Sequence, residues 1–404
     1  MIGKGVIIGC GRIGAPMLAW MHASKPEGLE MVGVDTNSEL IGHLREGDTG
    51  WYEEGMDDYF RDNPVPLIDV NETPLNDVFW ENVKFAVVCL GSPVIDGKPD
   101  VNPIRRVIED IPNNVLIVLR STVPPGFTEQ LSNESGKTII FAPERILTGN
   151  ALTELDTLPQ NIGVVGQLPL DQVENYKLFT SFFHTVSVYK AKEVELSKIG
   201  NNVIRYIEFT AGTQFAMACE KHGADWRKVR EAMTQGYDRG RMCYPAFSSS
   251  YCLNKDFQML GESMPILSVV SAEFNQKALL IDLMVRALIE NKANPTNVGI
   301  LGWTYRPESD DDRDTITEYW LTLLRNDAFK CEQIYLYDPI KMPELDDVIN
   351  VNSTDALIKS SDLIIVATAH SEFEKVNKAL LSGKTVIDLT GIINPTTSFV
   401  EAYE

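Results

Sequence analysis

The sequence predicts an α/β protein in which two doubly wound parallel-sheet domains are joined by a long central helix. Three observations support this fold class. Short apolar runs that read as strands alternate with helical patterns through the first half of the 404-residue chain. A helical pattern with no proline and only two glycines then covers residues 193–222. After Pro295, strand and helix patterns alternate again.

The first predicted strand leads into a glycine-rich turn. Residues 4–8 are apolar, residues 9–14 read G-x-G-x-x-G, and residues 15–23 have a helical pattern. In a Rossmann unit the first glycine permits the tight turn, the second lets the backbone approach a pyrophosphate, and the third lets the helix pack close to the strand. The expected cofactor-binding residues of this turn are Gly9, Gly11, Arg12, Ile13 and Gly14.

An acidic residue follows where a dinucleotide-binding unit requires one. The apolar run at residues 29–34 ends in Asp35. A carboxylate at this position accepts hydrogen bonds from the adenosine ribose hydroxyls and repels a 2′-phosphate. The sequence therefore predicts a Rossmann-like domain whose cofactor is NAD rather than NADP.

The other elements follow in order along the chain. Further strands of the first domain are predicted at residues 85–90, 115–119, 138–141, 161–165 and 185–189. Helices are predicted at 193–222, 226–233 and 265–291, with a loop rich in Ser, Gly and aromatic residues at 239–256. Strands resume at 298–302, 333–337, 363–367 and 385–389. We expect an NAD-binding Rossmann domain at 1–190, a central helical dimerisation domain with a cysteine loop at 191–294, and a second Rossmann-like domain at 295–404, with a ligand cleft between the two α/β domains.

Composition excludes several classes of protein. Hydrophobic and charged contents of 44% and 23% are those of an ordinary globular protein, and 36 basic against 57 acidic residues give a net charge of −21. Such a charge disfavours nucleic acid or an anionic membrane as a partner. With no long apolar stretch and a strand at the very start, we expect a cytoplasmic protein. Six scattered cysteines and five histidines lack metal-ligand spacing, so we expect free thiols and no metal site.

Two short constellations carry the chemistry. Lys198 and Asn202 are four residues apart in the long helical pattern, and Cys252 is followed four residues later by Asp256. A cation and an amide on one helix face can stabilise a reacting oxygen, while a thiol and a carboxyl group supply a nucleophile and an acid or base. These groups suit an enzyme that oxidises an alcohol beyond the aldehyde, to the acid. Taken singly, Cys252 is also consistent with a small buried residue, and Lys198 with a solvated helix face.

From end to end the chain resembles the UDP-glucose/GDP-mannose dehydrogenase family, the nucleotide-sugar 6-dehydrogenases. The motifs that carry the resemblance are the glycine turn with Asp35, residues 44–47 and 53–57, Ser121-Thr122-Val123-Pro124-Pro125-Gly126, Pro143-Glu144-Arg145-Ile146 with Gly149, Glu195-Leu196-x-Lys198-x-x-x-Asn202, Cys252-x-x-Lys255-Asp256, and Arg306-Pro307-x-x-Asp310-Asp311-x-Arg313. The order and spacing of so many motifs make this resemblance specific.

The resemblance implies a role for individual residues of these motifs. NAD would bind the N-terminal domain with help from Ser92 and Thr122, the UDP of the substrate would bind the C-terminal domain, and the long helix would build a homodimer. The implied catalytic residues are Cys252 as nucleophile, Lys198, Asn202, Asp256, Thr122 and Glu144. The implied substrate-binding residues are Glu144, Arg145, Lys198, Asn202, Arg205, Lys255, Arg306 and Arg313. The two lysines would favour the thiolate of Cys252.

Some positions depart from the family pattern and leave alternatives open. Serines replace the family's glycines at residues 248–250, which implies a different path for the loop before Cys252. Thr148 and Arg205 resemble the branch that oxidises UDP-N-acetylhexosamines, so the sugar stays open between that branch and UDP-glucose. Glu144 is also consistent with a favourable helix start, and Arg313 with neutralising neighbouring aspartates.

Two rival functions also remain. A single-oxidation 3-hydroxyacid dehydrogenase also joins a Rossmann domain to a long helix with Lys and Asn four apart, but Cys252 and the second α/β domain count against it. A nucleotide-sugar-binding relative that has lost turnover is the other.

Overall fold

The computed structural model describes residues 2–95, 98–237, 240, 242–245, 251–260, 272–290, 297–326, 329, 331–393 and 399–402. The chain forms two compact units, Met1–Asn201 and Asn202–Glu404. Their boundary falls inside one continuous helix, Ala191–Lys221. Each unit contains a mostly parallel sheet with helices, so the predicted α/β class is confirmed.

The described part of unit 1 contains an eight-stranded sheet and a small hairpin. Its strands in chain order are β1 (Gly3–Ile8), β2 (Leu29–Asp35), β3 (Leu67–Asp69), β4 (Val83–Val88), the hairpin β5 (Val94–Ile95) and β6 (Lys98–Pro99), β7 (Leu116–Leu119), β8 (Ile139–Phe141), β9 (Gln160–Val164) and β10 (Val186–Lys190). The sheet order is β10-β9-β8-β7-β4-β1-β2-β3. The helices are α1 (Gly14–Ser24), α2 (Ser38–Glu46), α3 (Met56–Asp62), α4 (Asp77–Trp80), α5 (Asn102–Asp110), α6 (Phe127–Ser135), α7 (Ala151–Thr157), α8 (Val173–Thr180) and the start of α9 (Ala191–Lys221), with a 3₁₀ turn at Leu170–Gln172.

Both faces of this sheet are covered, which explains why its central strands are continuous apolar runs. Alternate residues of each strand point to opposite faces. Ile7 and Val87 belong to one core cluster, whereas Val6 and Val88 belong to another. The carboxyl ends of β1, β4 and β7 therefore lie side by side between two cores.

The sheet of unit 1 is parallel as predicted except at one strand pair near its edge. β8 pairs with β9 in antiparallel register, and β10 follows β9 in parallel. The segment between β8 and β9 contains only the short helix α7, which packs against α1. Because no helix carries the chain back across the sheet, the chain enters β9 from the carboxyl end of β8.

Unit 2 combines helices with a second sheet. Its described elements are the rest of α9, α10 (Trp226–Thr234), α11 (Tyr251–Leu260), α12 (Ala272–Glu290), β11 (Asn297–Leu301), α13 (Ile316–Leu324), β12 (Gln333–Tyr337), β13 (Val348–Asn350), α14 (Thr354–Ser360), β14 (Leu363–Val366), 3₁₀ turns at Ser371–Lys375 and Lys378–Leu381, β15 (Thr385–Asp388) and β16 (Val400–Ala402). The sheet order is β13-β12-β11-β14-β15-β16, with β16 antiparallel. One core cluster includes Trp226 of α10, Leu283 of α12, and Ile300 of β11. The helices and the sheet of unit 2 thus share apolar packing.

The predicted loop at 239–256 is wrong from residue 251 onward, where α11 begins. Leu253, Phe257 and Leu260 recur at the spacing of one helix face. Leu253 and Phe257 pack with Tyr206 of α9, and this tertiary contact outweighs the turn-forming composition that precedes it. Cys252 consequently lies in the first turn of a helix. The serines at 248–250 lie outside the described residues.

Candidate active site

The turn after β1 has the geometry of a phosphate-binding turn. Gly9 has φ of 90°, a conformation in which a residue with a side chain is strained. A Cβ on Gly14 would lie 1.7 Å from the Gly9 carbonyl oxygen, so α1 reaches the turn only because position 14 is glycine. A Cβ on Gly11 would meet no heavy atom within 4 Å. Gly11 therefore borders open space at the N-terminal end of α1, where backbone N–H groups favour an anion.

Asp35 is held at the end of β2 by the neighbouring backbone. The amide of Cys10 donates to Oδ2 at 2.7 Å, and the amide of Asn37 donates to Oδ1 at 2.8 Å. Each oxygen keeps a lone pair for a further donor. The Arg12 guanidinium lies over the Trp51 ring, 5.8 Å from its centroid. The turn, the carboxylate and this cation fit the ribose and pyrophosphate of NAD.

The loops that follow β4 and β7 are joined beside this turn. The Ser92 hydroxyl, which is 4% exposed, donates to the carbonyl of Thr122 at 2.5 Å. The amide of Ser121 donates to Val88 at the end of β4. Since β4 is the neighbour of β1 in the sheet, Ser92 and Thr122 belong to the same carboxyl-terminal edge as the glycine turn.

A buried glutamate connects this edge to the long helix. Glu195 of α9 is 0% exposed. Its carboxylate accepts from the amides of Gly126 at 2.5 Å and Thr128 at 2.8 Å, at the N-terminus of α6. Sequence reasoning quoted Glu195 as part of a motif but assigned it no role. The two amides that donate to it show that Glu195 anchors α9 to the loop that carries Thr122.

Glu144 and Lys198 form a nearly buried ion pair. The Lys198 ammonium is 2.7 Å from Oε1 of Glu144, and the two side chains are 12% and 11% exposed. Burial by itself would raise the pKa of Glu144, but the charges of Lys198 and Arg120 outweigh burial and lower it. Glu144 is therefore a carboxylate at neutral pH, and the predicted Lys198 cation is held beside it.

Arg120 is a site residue that sequence reasoning missed. It is 1% exposed and donates to the carbonyl of Ala142 at 3.0 Å and to Gln160 at 3.1 Å. Burial lowers the pKa of Arg120, while Glu144 acts in the opposite direction. The available signal was a charged residue that directly follows the apolar strand β7 and precedes Ser121-Thr122.

The loop after β8 is held in place by another buried carboxylate. Glu53, which is 5% exposed, accepts from the amides of Gly149 at 2.8 Å and Ala151 at 2.6 Å. This contact joins Glu53 and Gly149, both of which belong to the motifs that carry the family resemblance. Arg145 of the same loop is exposed, and its guanidinium donates to the carbonyl of Pro159. Arg145 thus contacts the backbone of Pro159, which is not one of the predicted site residues.

In unit 2, α11 and α9 bring three of the predicted residues together. The Asn202 amide donates to Oδ2 of Asp256 at 2.6 Å, and the Lys255 ammonium is 2.6 Å from Oδ1. Asp256 and Lys255 are 1% and 7% exposed. Cys252 lies one turn earlier on α11 and is exposed. The arrangement presents an accessible thiol above a buried carboxylate, amide and ammonium cluster.

The predicted arginines of unit 2 are placed differently from one another. Arg313 makes a bidentate pair with Asp311, at 2.8 and 2.6 Å, and its side chain is 45% exposed. These hydrogen bonds raise the pKa of Arg313. Arg306 is half-buried in the same loop. Arg205 is exposed on α9 and acts electrostatically on Cys243.

A second Asp at a strand end was also missed. Asp338, at the end of β12 and 3% exposed, accepts from the amide of Trp303 at 2.7 Å and lies 3.1 Å from His370 Nε2. His370 Nδ1 accepts from the amide of Glu308 at 3.2 Å, so Nε2 carries the proton. Burial would raise the pKa of Asp338, but the His370 hydrogen bond outweighs it and lowers the pKa to about 2. Asp338 thus resembles Asp35 in position, yet it is enclosed.

All six cysteines are free thiols. In the described ranges, no group of three or more His, Cys, Asp or Glu side chains is arranged to hold a metal ion. The described helices also include none with the length and apolar character needed to span a membrane.

Comparison with known proteins agrees with this geometry. Residues 4–180 match the NAD-binding domain of the UDP-glucose/GDP-mannose dehydrogenase family, and residues 299–395 match its UDP-binding domain. The chain belongs to this family. The resemblance inferred from sequence is confirmed, and so is NAD as the cofactor of this family member. The protein is an oxidoreductase of the nucleotide-sugar dehydrogenase type.

Individual relatives are distant but extend over nearly the whole chain. UDP-N-acetyl-D-mannosamine dehydrogenase of Pyrococcus horikoshii is 25% identical over 415 residues, which cover 94% of this chain and 95% of the relative. UDP-glucose 6-dehydrogenase of Rickettsia bellii is 23% identical over 430 residues, covering 97% and 94%. A solved UDP-glucose dehydrogenase from Pyrobaculum islandicum shares the fold with a TM-score of 0.81 at 21% identity, covering 96% and 94%.

Proposed function

We propose that this family member is an NAD-dependent nucleotide-sugar 6-dehydrogenase that oxidises the C6 hydroxyl of a UDP-sugar to the acid in two hydride transfers. The observation that carries the proposal is the exposed Cys252 thiol in the first turn of α11, next to Lys255 and Asp256. A single-oxidation dehydrogenase has no need of a nucleophile. A thiol lets one enzyme retain the aldehyde and oxidise it again.

The first oxidation requires a proton acceptor and stabilisation of the reacting oxygen. NAD, when bound, accepts the hydride from C6. The lowered pKa of Glu144 keeps it a carboxylate that can take the hydroxyl proton, directly or through water. The ammonium of Lys198 supports the negative charge that develops on the oxygen. Asn202 lies one helical turn further along α9. Its side-chain amide either donates to this oxygen or orients Asp256.

The second oxidation requires covalent capture. Cys252 as thiolate attacks the aldehyde carbon, and the resulting oxyanion takes up a proton to give a thiohemiacetal. Loss of a hydride and the hydroxyl proton converts this adduct to a thioester. Water then attacks the thioester carbon and displaces the thiolate, which releases the carboxylate. The balance is one alcohol, one water and two NAD giving one carboxylate, two NADH and three protons.

The favoured substrate class is a UDP-N-acetylhexosamine, with UDP-glucose as the alternative. Relatives at 25% identity, including the one from Pyrococcus horikoshii, are named UDP-N-acetyl-D-mannosamine dehydrogenases. Thr148 and Arg205 agree with that branch. Relatives named for UDP-glucose and for an NDP-N-acetyl-D-galactosaminuronic acid are less similar but cover as much of the chain. We also propose a homodimer built on α9 and, because NAD and UDP-sugars are intracellular metabolites, a cytoplasmic location.

The deciding experiment counts NADH formed per sugar consumed. UDP-glucose, UDP-N-acetylglucosamine, UDP-N-acetylmannosamine, UDP-galactose and GDP-mannose are each supplied with NAD. The proposal predicts two NADH per molecule of the preferred UDP-sugar for the wild type. For Cys252→Ala it predicts no acid and at most one NADH per sugar, with the aldehyde trapped by hydroxylamine. Cys331→Ala, at a half-buried thiol of the same unit, is the matched control and should retain two.

Other outcomes would favour the alternatives. One NADH per substrate in the wild type would support a single-oxidation dehydrogenase. Saturable UDP-sugar binding without NADH formation, unchanged in Cys252→Ala, would support a binding protein that has lost turnover.

A further inference from the structure

Asp314 adopts a backbone conformation that its surroundings must stabilise. Its φ is 57°, and among the described residues only Asn82 and Glu308 share a positive φ without being glycine. Aspartate tolerates this region better than most residues, but the conformation is still unfavourable. Asp314 lies between Arg313 and Thr315, the residue that caps the N-terminus of α13. Retained strain next to a proposed substrate-binding residue points to a role for the side chain.

Both oxygens of the Asp314 carboxylate are used. The side-chain amide of Asn254 donates to Oδ2. The hydroxyl of Tyr319 donates to Oδ1 at 3.1 Å. Asn254 belongs to α11 and Tyr319 to α13. The carboxylate therefore bridges α11, whose first turn carries Cys252, and α13, which follows Arg313.

α11 is also held by contacts with α9. Asn202 donates to Asp256 at 2.6 Å, and the Phe257 ring packs 5.1 Å from the Tyr206 ring, centroid to centroid. Asn254 projects from a different face of α11 than Asp256, because residues two positions apart are separated by about 200° around a helix. Two amide–carboxylate hydrogen bonds on separate faces thus fix α11, one to α9 and one to the Arg313 segment.

The Asn254–Asp314 hydrogen bond bears on how the Cys252 thiol is placed relative to the Arg313 guanidinium. Asn254 is two residues beyond Cys252, and Asp314 is adjacent to Arg313. Cys252 is among the groups that act electrostatically on Arg313, after Asp311. Both nearby cations already have a carboxylate partner, Lys255 with Asp256 at 2.6 Å and Arg313 with Asp311. The Asn254–Asp314 bond connects the helix turn that carries the thiol to the segment that carries the guanidinium.

We propose that Asp314 is a positioning residue which, through Asn254, holds the Cys252 end of α11 beside Arg313, so that the guanidinium favours the thiolate. This inference rests on the proposed function for its catalytic meaning. Its geometric content, the Asn254–Asp314 bridge between α11 and the Arg313 segment, lies within unit 2.

The test compares variants that keep or remove the bridge. Asp314→Asn keeps the tolerance for positive φ, an acceptor for Asn254 and a donor for the Tyr319 oxygen. Asp314→Gly removes both bonds without backbone strain, and Asn254→Ala removes only the bond to α11. Tyr319→Phe, which removes only the bond to α13, is the matched control.

The readout is the pH profile of Cys252 alkylation by iodoacetamide, followed on its peptide by mass spectrometry without substrate. We expect the profiles of Asp314→Gly and Asn254→Ala to move to higher pH by about one unit, because the thiolate loses its cation. Asp314→Asn and Tyr319→Phe should keep the wild-type profile. The double variant Asn254→Ala with Asp314→Gly should shift no further than either single variant, since both remove one interaction.

Unchanged profiles in both bridge-breaking variants, or shifts that add in the double variant, would overturn the proposal. If Asp314→Gly fails to fold, Asn254→Ala and Asp314→Asn still decide it. The profile needs no turnover, so it is independent of the NADH count. If two NADH are also formed per sugar, the bridge-breaking variants should form acid about tenfold more slowly with an unchanged KM for NAD.

Discussion

Replacing Glu195 by glutamine tests whether the anchor between α9 and the Thr122 loop sets the geometry of the site. The wild-type carboxylate accepts two backbone amides, at 2.5 and 2.8 Å, with 0% exposure. Glutamine keeps one acceptor oxygen but presents an NH₂ group to the second amide. One buried donor then loses its partner and faces another donor.

The magnitude follows from these contacts. Loss of a charge-assisted hydrogen bond to a buried amide costs about 1.5–3 kcal/mol. Loss of the negative charge at the N-terminus of α6 adds about 0.5–1 kcal/mol. We therefore expect the free energy of unfolding of unit 1 to fall by about 2–4 kcal/mol. For a unit of this size that corresponds to a decrease in Tm of roughly 5–10 °C.

The same substitution should affect catalysis through Lys198, which lies three residues further along α9. A displacement of about 1 Å of a positioned group can lower the rate about a hundredfold. We expect kcat to fall about 10- to 100-fold, with the NADH count per sugar unchanged. Urea unfolding and steady-state kinetics measure the two effects.

Glu193→Gln on the same helix is the matched control. Glu193 is exposed and accepts from the amide of Lys190 at 2.9 Å, so its replacement should cost less than about 1 kcal/mol. The reasoning would be refuted if Glu195→Gln were no more destabilising than Glu193→Gln. Stability lost without any change in kcat would show that Glu195 is only a helix cap.

Two further predictions concern buried charges. Asp338→Asn should lower the free energy of unfolding by about 2 kcal/mol, because the folded-state pKa of Asp338 falls from 3.8 to about 2. A depressed pKa stabilises the folded state fully above about pH 4, and this stabilisation is lost as the pH falls to about 2. The free energies of unfolding of wild type and variant, measured in urea, should therefore converge over that range. Lys137→Met should cost about 2–4 kcal/mol by thermal and urea unfolding, since the buried ammonium donates at 2.6, 2.6 and 2.5 Å to the carbonyls of Ile108, Glu109 and Ile111 at the end of α5; an unchanged melting curve would contradict this reading.

Local patterns were sufficient for the elements with strong periodicity. The strand, glycine turn and helix at the N-terminus agree with prediction because the glycines and the apolar runs act within a few residues of one another. The long helix was predicted at 193–222 and is Ala191–Lys221. The antiparallel edge at β9 was not predictable from periodicity, because an apolar strand has the same pattern in either direction. Strand direction depends on where the connecting helix α7 packs.

The candidate site divides in the same way. Residue types and spacing singled out Lys198, Asn202 and Asp256, and the family resemblance added Glu144, but neither assigned partners. Their spacing on one helix pairs Lys198 with Asn202, whereas in the structure Lys198 contacts Glu144 and Asn202 contacts Asp256. Arg120 and His370 escaped notice because a single charged or imidazole side chain has no local pattern that predicts full burial.

The sequence by itself determined the α/β class, the cofactor type and the membership of a family, because each depends on short-range order: glycines in one turn, a carboxylate at a strand end, and motifs in a conserved sequence of spacings. Tertiary structure alone decided which carboxylate meets which cation, that Cys252 begins a helix, and that Glu195 and Asp314 connect segments far apart in sequence. Those contacts join residues 69 and 60 positions apart, and a partner at such a separation is chosen by packing rather than by local pattern.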